Sequence, residues 1–225
     1  MKYPLAISEC IKNGSRILED ADRLAEFGRY PTARALAILA QEEFAKAYLL
    51  RLVEEGAIPW CDEVHRACKD HVCKHLISVV MLHLFTPYED DILSRDRSVR
   101  EAKGDFVLPA KVADALNIFC HEKLITWRSP NWRWADPVKY DRLAKQIGAG
   151  KVDKVKQEAL YVGIGKNLNV TSTPRCSEAE ATEALETAGK LQDVAQCGDV
   201  WAFTEKKHIK AGLKEMLREL SEEKL

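Results

Sequence analysis

Between Pro31 and Gly56 the chain runs almost without a break through Ala, Leu, Ile and Val, with the polar residues gathered near Gln41-Glu42-Glu43 and Lys46. Pro31 suits a first helical turn, the Ala and Leu residues favour helix, and Gly56 supplies a stop, so the pattern predicts one helix over about 31–55. On a wheel of about 100° per residue, Leu36, Ala40, Ala47 and Leu50 lie within about 40° of Glu43, with Leu39, Lys46 and Val53 on the adjacent strip. That wheel points Glu43 into the apolar stripe, where a carboxylate must take up a proton or meet a cation. Lys46, one turn on, is the nearest candidate. Glu42 falls about 100° away, where Lys46 at i,i+4 is its available partner.

The same reading extends along the chain. Ser8 is a candidate cap for a helix over about 9–27, with Ile7, Ile11, Ile17, Leu18, Leu24 and Phe27 at its apolar positions and Gly28 at its end. A short turn then leads into the 31–55 helix, which makes an antiparallel hairpin. Pro59 and Asp62 mark the entry of a third helix over about 62–85, and Thr86-Pro87 its exit. Its apolar stripe, with Val64, Leu82 and Phe85, also carries His71, His75 and Ser78, with Lys74 beside them. Residues 88–105 are highly charged and read as a surface helix or connector. Pro109 opens a fourth helix to about 127, followed by a loop with Trp127, Trp132 and Trp134 among arginines; such a loop can stack bases, and it can equally cap its own core.

Residues 138–160 pattern as helix with an interruption at Gly148 and Gly150, and the stretch near 159–171 reads as extended. Gly163 and Gly165 do not complete a GxGxxG, so no dinucleotide site is expected. Ser177 with Glu180 forms a capping-box pattern that opens a helix to about 196, and residues 200–222 suit a last amphipathic helix. There is no repeat and no linker. The expected fold is all-α, one domain over residues 1–225 with a short extended excursion.

Composition changes this picture little. The 225 residues are 46% hydrophobic and 31% charged, as in ordinary globular proteins, and the net charge of −1 argues against coating nucleic acid by bulk attraction. Charge is uneven, however: residues 64–166 hold 18 basic against 13 acidic side chains, while 1–63 and 167–225 each hold 8 against 11. A moderately basic middle can meet an anionic partner, or be a solvated mixed-charge surface. No apolar run reaches the roughly 18 residues of a membrane span, and the N-terminus lacks a signal peptide's apolar core. Seven cysteines without a CxxC pair suit reduced thiols, so a cytoplasmic protein is expected.

Two sets of residues can carry chemistry. The first is Glu43 and Lys46 with His71, Lys74 and His75. A histidine can move a proton and a nearby cation can stabilise charge on phosphate, which are the parts for metal-independent RNA cleavage. The same residues also suit a buried polar network that fixes helix register, and the pattern alone leaves both open. Arg66 and His71 form an RxxxxH pair, about 140° apart on a straight helix, so they share a site only where the helix loosens or the arginine wraps around. The second set is Cys61, His65, Cys68 and His71, on one drifting face. A tetrahedral metal site there needs ligands from elsewhere, such as Cys120 and His121. Without a CxxC or HExxH, neither metal nor cofactor is expected, and the EExxK lacks the histidine of di-iron bundles.

The segment from Asn13 to Leu50, with Leu18, Ala21, Leu24, Gly28, Ala35 to Ala40, Glu42-Glu43 and Lys46-Ala47, resembles the opening hairpin of the AbiV family of abortive-infection proteins, within the HEPN superfamily. His71-Val-Cys-Lys74 resembles that family's histidine-lysine segment, and Ala159-Leu-Tyr-Val-Gly163 with Pro174 its "LYV … P" stretch. Residues 86–135 match no part of it. The resemblance implies a HEPN-like antiparallel helical bundle with additional C-terminal helices, anti-phage defence, toxin-like action on RNA or translation, and homodimerisation. It also implies a metal-independent ribonuclease with His71 as general acid or base, Arg66 or Lys74 as phosphate contact, and Glu43 with Lys46 as supporting pair. Some HEPN members are non-catalytic, which leaves a second expectation: a binding protein that senses a phage protein or blocks a translation component.

Overall fold

A computed structural model of the chain describes residues 2–85 and 109–197. The connector at 88–105, the Thr86-Pro87 exit and the helix expected over 200–222 lie outside the described residues. The elements run α1 Tyr3–Glu26, α2 Tyr30–Glu54, α3 Asp62–Ala67, α4 His71–Phe85 and α5 Ala110–Asn117. A π-helical stretch Ile118–Ile125 and α6 Thr126–Arg128 continue α5 without a break. After these come α7 Arg142–Gly148, α8 Lys151–Leu160, the strands β1 Gly163–Ile164 and β2 Val170–Ser172, and α9 Glu178–Gln196.

Two glycines set the first turns. Gly28 takes φ +69, and the Gly28 and Arg29 amides reach back to the carbonyls of Ala25 (2.9 Å) and Leu24 (2.8 Å). Gly56, at φ +65, repeats the arrangement, with its own amide on Val53 (3.0 Å) and that of Ala57 on Leu52 (2.8 Å). Both are left-handed caps that a β-carbon would strain, and they end α1 and α2 where the sequence places the ends. The start of α1 differs from expectation. Ser8 lies inside the helix, which begins five residues earlier with Pro4 in its first turn, where a missing N–H costs nothing.

α2 is the axis of the fold. α1 packs antiparallel along it, and α9, α4 and α8 close its remaining sides. Phe44, Tyr48, Leu49 and Leu52 are fully buried, and at Gly14 of α1 a β-carbon would stand 2.6 Å from the Phe44 ring, so the glycine makes room for that ring against α1. Only Leu36, Leu39, Glu43, Lys46 and their neighbours Arg34 and Arg51 remain half-buried along α2 after its first turn.

The expected third helix is broken. α3 ends at Ala67, and Asp70 restarts the chain as α4 by accepting the Cys73 amide on its carboxylate at 2.8 Å. An aspartate at that position competes with helix continuation and favours a cap. The fourth helix has the expected extent, and just past its π-helical stretch the Thr126 hydroxyl donates back to the His121 carbonyl at 3.0 Å. Arg128 fixes this segment to α3 by a two-pronged pair with Glu63, both contacts 3.1 Å. Those donors outweigh partial burial and hold the Glu63 carboxyl down at about 2.

The extended stretch is a small antiparallel hairpin pairing Gly163 with Ser172 and Ile164 with Val170. The capping box at Ser177 and Glu180 is formed by both of its bonds and opens α9. α9 is pinned to α2 by Gln41 Nε2 on the Ala184 carbonyl (2.9 Å), and to α1 by Gln192 Nε2 on Ser15 Oγ (2.7 Å). Among the described residues, no helix is long and apolar enough to cross a membrane.

Candidate functional site

The carboxylate that α2 turns inward is Glu42, not Glu43. Its side chain is 2% exposed, at the junction of α2, α4 and α8. The wheel failed because α2 is covered on nearly every side, so its apolar asymmetry no longer marks an inward face. Glu43 lies on the half-buried strip and bonds Lys46 Nζ at 2.6 Å. Neither Glu43 nor Lys46 belongs to the cluster around Glu42.

Four cationic or ionisable groups converge on Glu42. From α4, His71 Nδ1 lies 2.6 Å and Lys74 Nζ 2.7 Å from Oε2. From α8, Lys156 Nζ donates to Oε1 at 2.6 Å and also to Asp153 Oδ1 at 2.8 Å. His75 Nε2, also on α4, stands 3.4 Å from Oε1 and makes no well-formed hydrogen bond there. Lys74, His75 and Lys156 are all buried, whereas the His71 side chain is 47% exposed. So the structure brings the expected His71, Lys74 and His75 together, around Glu42 and not Glu43, and adds Asp153 and Lys156, which the expected set did not include. A signal for Lys156 exists: it shares the inward stripe Val152, Lys156, Ala159 at i, i+4, i+7.

The electrostatics follow from this packing. Burial alone would raise the Glu42 carboxyl, but the His75 contact and the ammonium donors Lys156 and Lys74 override it and hold it well below the usual carboxylate range. Lys156 is likewise kept charged: burial pulls it down, and Asp153 and Glu42 more than compensate, so its affinity for the proton is raised. An ionised carboxylate only accepts, so the short contact to His71 assigns the proton to Nδ1 when the ring is neutral. The lone pair then sits on Nε2, on the half-exposed ring. A histidine held in this way can take or give a proton at Nε2.

Other expected groups lie elsewhere. Arg66, exposed in α3, stacks its guanidinium over Trp127 at 4.2 Å. Trp132 and Trp134 pack on His121 with ring centroids 5.6 and 4.8 Å away, and Trp134 Nε1 donates to the Tyr140 hydroxyl at 2.9 Å. These indoles serve the loop's own packing. His65 of the second set leans on Trp60 at 5.8 Å. Among the described residues, the donors that do gather within 4.8 Å of one another are on Glu42, His71 and Asp153. The Lys156 ammonium already bridges the two carboxylates of that set, so the charge a metal ion would bring is present as protein. Cys68 is pushed up to about 11 and Cys10 is also raised, both chiefly by burial, so neither offers a thiolate at neutral pH.

The model of the HEPN_AbiV family, described as AbiV, matches residues 2–193. No curated protein and no solved structure matches the chain.

Proposed function

The chain belongs to the AbiV family of HEPN abortive-infection proteins, and from that premise we propose that it is an anti-phage effector whose target is RNA, cleaved without a metal ion at His71. The observation that carries this reading is the half-exposed His71 ring held at Nδ1 by the buried, ionised Glu42. In such a reaction Nε2 of His71 takes the proton of a ribose 2′-hydroxyl, and the freed oxygen attacks the adjacent phosphorus. The bond to the 5′-oxygen breaks, and that oxygen leaves as a hydroxyl once it receives a proton. One imidazole cannot do both at the same instant. In a homodimer, a second copy of His71 is the acid.

Lys74 and Lys156 are bound to Glu42 and buried, so they lend positive potential from behind rather than touch the phosphate. Arg66, stacked over Trp127 ahead of the α4 cap, meets a phosphate at His71 only by swinging off that ring. The experiment is purified full-length chain with cellular RNA and a chelator, alone and with phage-encoded proteins as activator. Cleavage is expected, and His71→Ala should abolish it while the helical circular-dichroism signal persists. RNA left intact under every activating condition overturns the catalytic reading.

A second reading draws on the hairpin. Tyr161, Val162, Ile164, Leu168 and Val170 are large apolar side chains exposed on or beside two short strands. Such a surface suits a non-catalytic protein that senses a phage protein or blocks a translation component. This reading expects Val162→Asp with Ile164→Asp to abolish protection against phage, and His71→Ala to retain it. The catalytic reading expects His71→Ala to lose protection.

A further inference from the structure

The hairpin of β1 and β2 holds apolar side chains in water, and its tip is strained. The turn is closed by the Gly165 amide on the Asn169 carbonyl at 2.8 Å and the Leu168 amide on the Gly165 carbonyl at 2.9 Å. Leu168 completes it at φ +59, the left-handed region that glycine and asparagine enter readily and leucine only at a cost. Its side chain is nevertheless 87% exposed, so no packing within the chain offsets that strain.

The strands behind the tip have an inner and an outer side. Ile164 pairs with Val170, and cross-strand partners share a face. Alternation along β1 sets Val162 on the same face, and all three side chains are more than half exposed. Gly163 and its partner Ser172 are half-buried and form the inner side. Charge is one-sided here. From Ala159 to Ser177 the chain carries Lys166 and Arg175 and no acidic residue. Both cations are exposed, and among the described residues neither is paired with a carboxylate.

Aliphatic side chains enter the acyl boundary of a bilayer, while Lys and Arg meet anionic headgroups. We propose that the hairpin docks the protein onto an anionic phospholipid bilayer, with Val162, Ile164, Leu168 and Val170 in the acyl boundary and Lys166 and Arg175 at the headgroup phosphates. This is adsorption and not spanning: among the described residues, no helix can cross a membrane. Other occupants match the face less well. RNA bases stack on aromatic rings and guanidinium planes, and this face is aliphatic. Protein partners are gripped chiefly through Trp, Tyr and Arg seated in pockets, with Leu and Val under-represented. A second copy of the hairpin laid on this one would set Lys166 and Arg175 against their like. The proposal goes beyond both readings of function and stands apart from His71.

The test is flotation of the full-length protein with vesicles, in the absence of RNA. Wild type should float with vesicles of equal parts phosphatidylglycerol and phosphatidylcholine, less so as salt is raised, and stay largely in solution with phosphatidylcholine alone. Leu168→Asp with Ile164→Asp should lower the partition coefficient at least about tenfold. Lys166→Gln should lower it about fivefold, on the anionic vesicles only. That single change, at an exposed position, carries the test if the double variant does not fold. Wild type that stays in solution with anionic vesicles overturns the proposal, and so does equal flotation on both lipids. A double variant that keeps its circular-dichroism spectrum and floats like wild type overturns it too. If wild type does not float but Leu168→Asp splits a dimer, the face belongs to a second copy; if Lys166→Gln instead weakens RNA binding, it belongs to RNA.

Discussion

Glu42 and Glu43 are neighbours in sequence and inhabit different physics. Glu42 is sealed at the meeting of three helices with Lys74, Lys156 and His71 on its oxygens, while Glu43 keeps one local partner, Lys46, on a half-buried strip of the same helix. A carboxylate's consequence for fold and chemistry is set by what the rest of the chain packs onto it. A salt bridge one turn away can satisfy a charge, but it takes groups from distant elements to orient a histidine.

The largest test of that contrast is Glu42→Ala. It leaves the Lys74 and Lys156 ammonium groups buried without their common acceptor, and breaking a buried pair from one side costs about 3–5 kcal/mol. Urea unfolding followed by circular dichroism should register a loss of that order, with Glu42→Gln milder because the amide oxygen still accepts. A loss below about 1 kcal/mol would mean the ammonium groups reach water, and the node is not the sealed one described.

Acid should expose the same node next. The folded Glu42 carboxyl is held below its ordinary value of 4.5, so the unfolded chain binds its proton first. Its contribution is therefore fully present above that value and shrinks as pH falls below it, toward the depressed folded value. The stability gap between wild type and Glu42→Gln should be flat above about pH 5 and narrow steadily in more acid solution. A gap that narrows instead as pH rises from neutral would assign the linkage to a cation.

Much of the fold was legible because its signals are local. Gly28, Gly56, Pro31 and the Ser177–Glu180 box act within one turn, and each sits where the pattern placed it. Asp70 was equally local and could have been read as the cap that splits the third helix. The site was only half legible. His71, Lys74 and His75 announced themselves as polar residues on an apolar stripe, but choosing between Glu42 and Glu43 required an inward face, and a helix packed all round has none. Lys156 lies 114 residues from Glu42, and that pairing is a property of the packed fold and not of any sequence window.

Removing the exposed member of the node should cost little stability. His71→Ala deletes a donor to Glu42 but leaves Lys74 and Lys156 in place, so the carboxylate stays satisfied and the change should stay under about 1.5 kcal/mol. The same substitution is expected to abolish RNA cleavage, and this separation of fold from activity marks a residue held by the structure instead of holding it. Comparable loss of stability in His71→Ala and Glu42→Ala would show the histidine to be part of the core network.

The smallest effect belongs to Glu43 and Lys46. Their contact is short at 2.6 Å, but it joins residues three apart on one helix, with side chains 18% and 26% exposed. Such pairs lose much of their Coulomb gain to solvent and to the ordering of two long side chains, so a double-mutant cycle with Glu43→Ala and Lys46→Ala should give about 0.3–0.5 kcal/mol of coupling. Salt distinguishes the two sites further: raising it to 1 M should erase most of this coupling and leave the Glu42 node nearly untouched. The cycle also tests the surroundings of the strip, since Leu36 and Leu39 lie on it with this pair. A coupling of several kcal/mol that grows with protein concentration would mean that the strip is sealed by a second copy in solution. The two glutamates would then be alike after all, one buried by the chain's own fold and the other by its assembly.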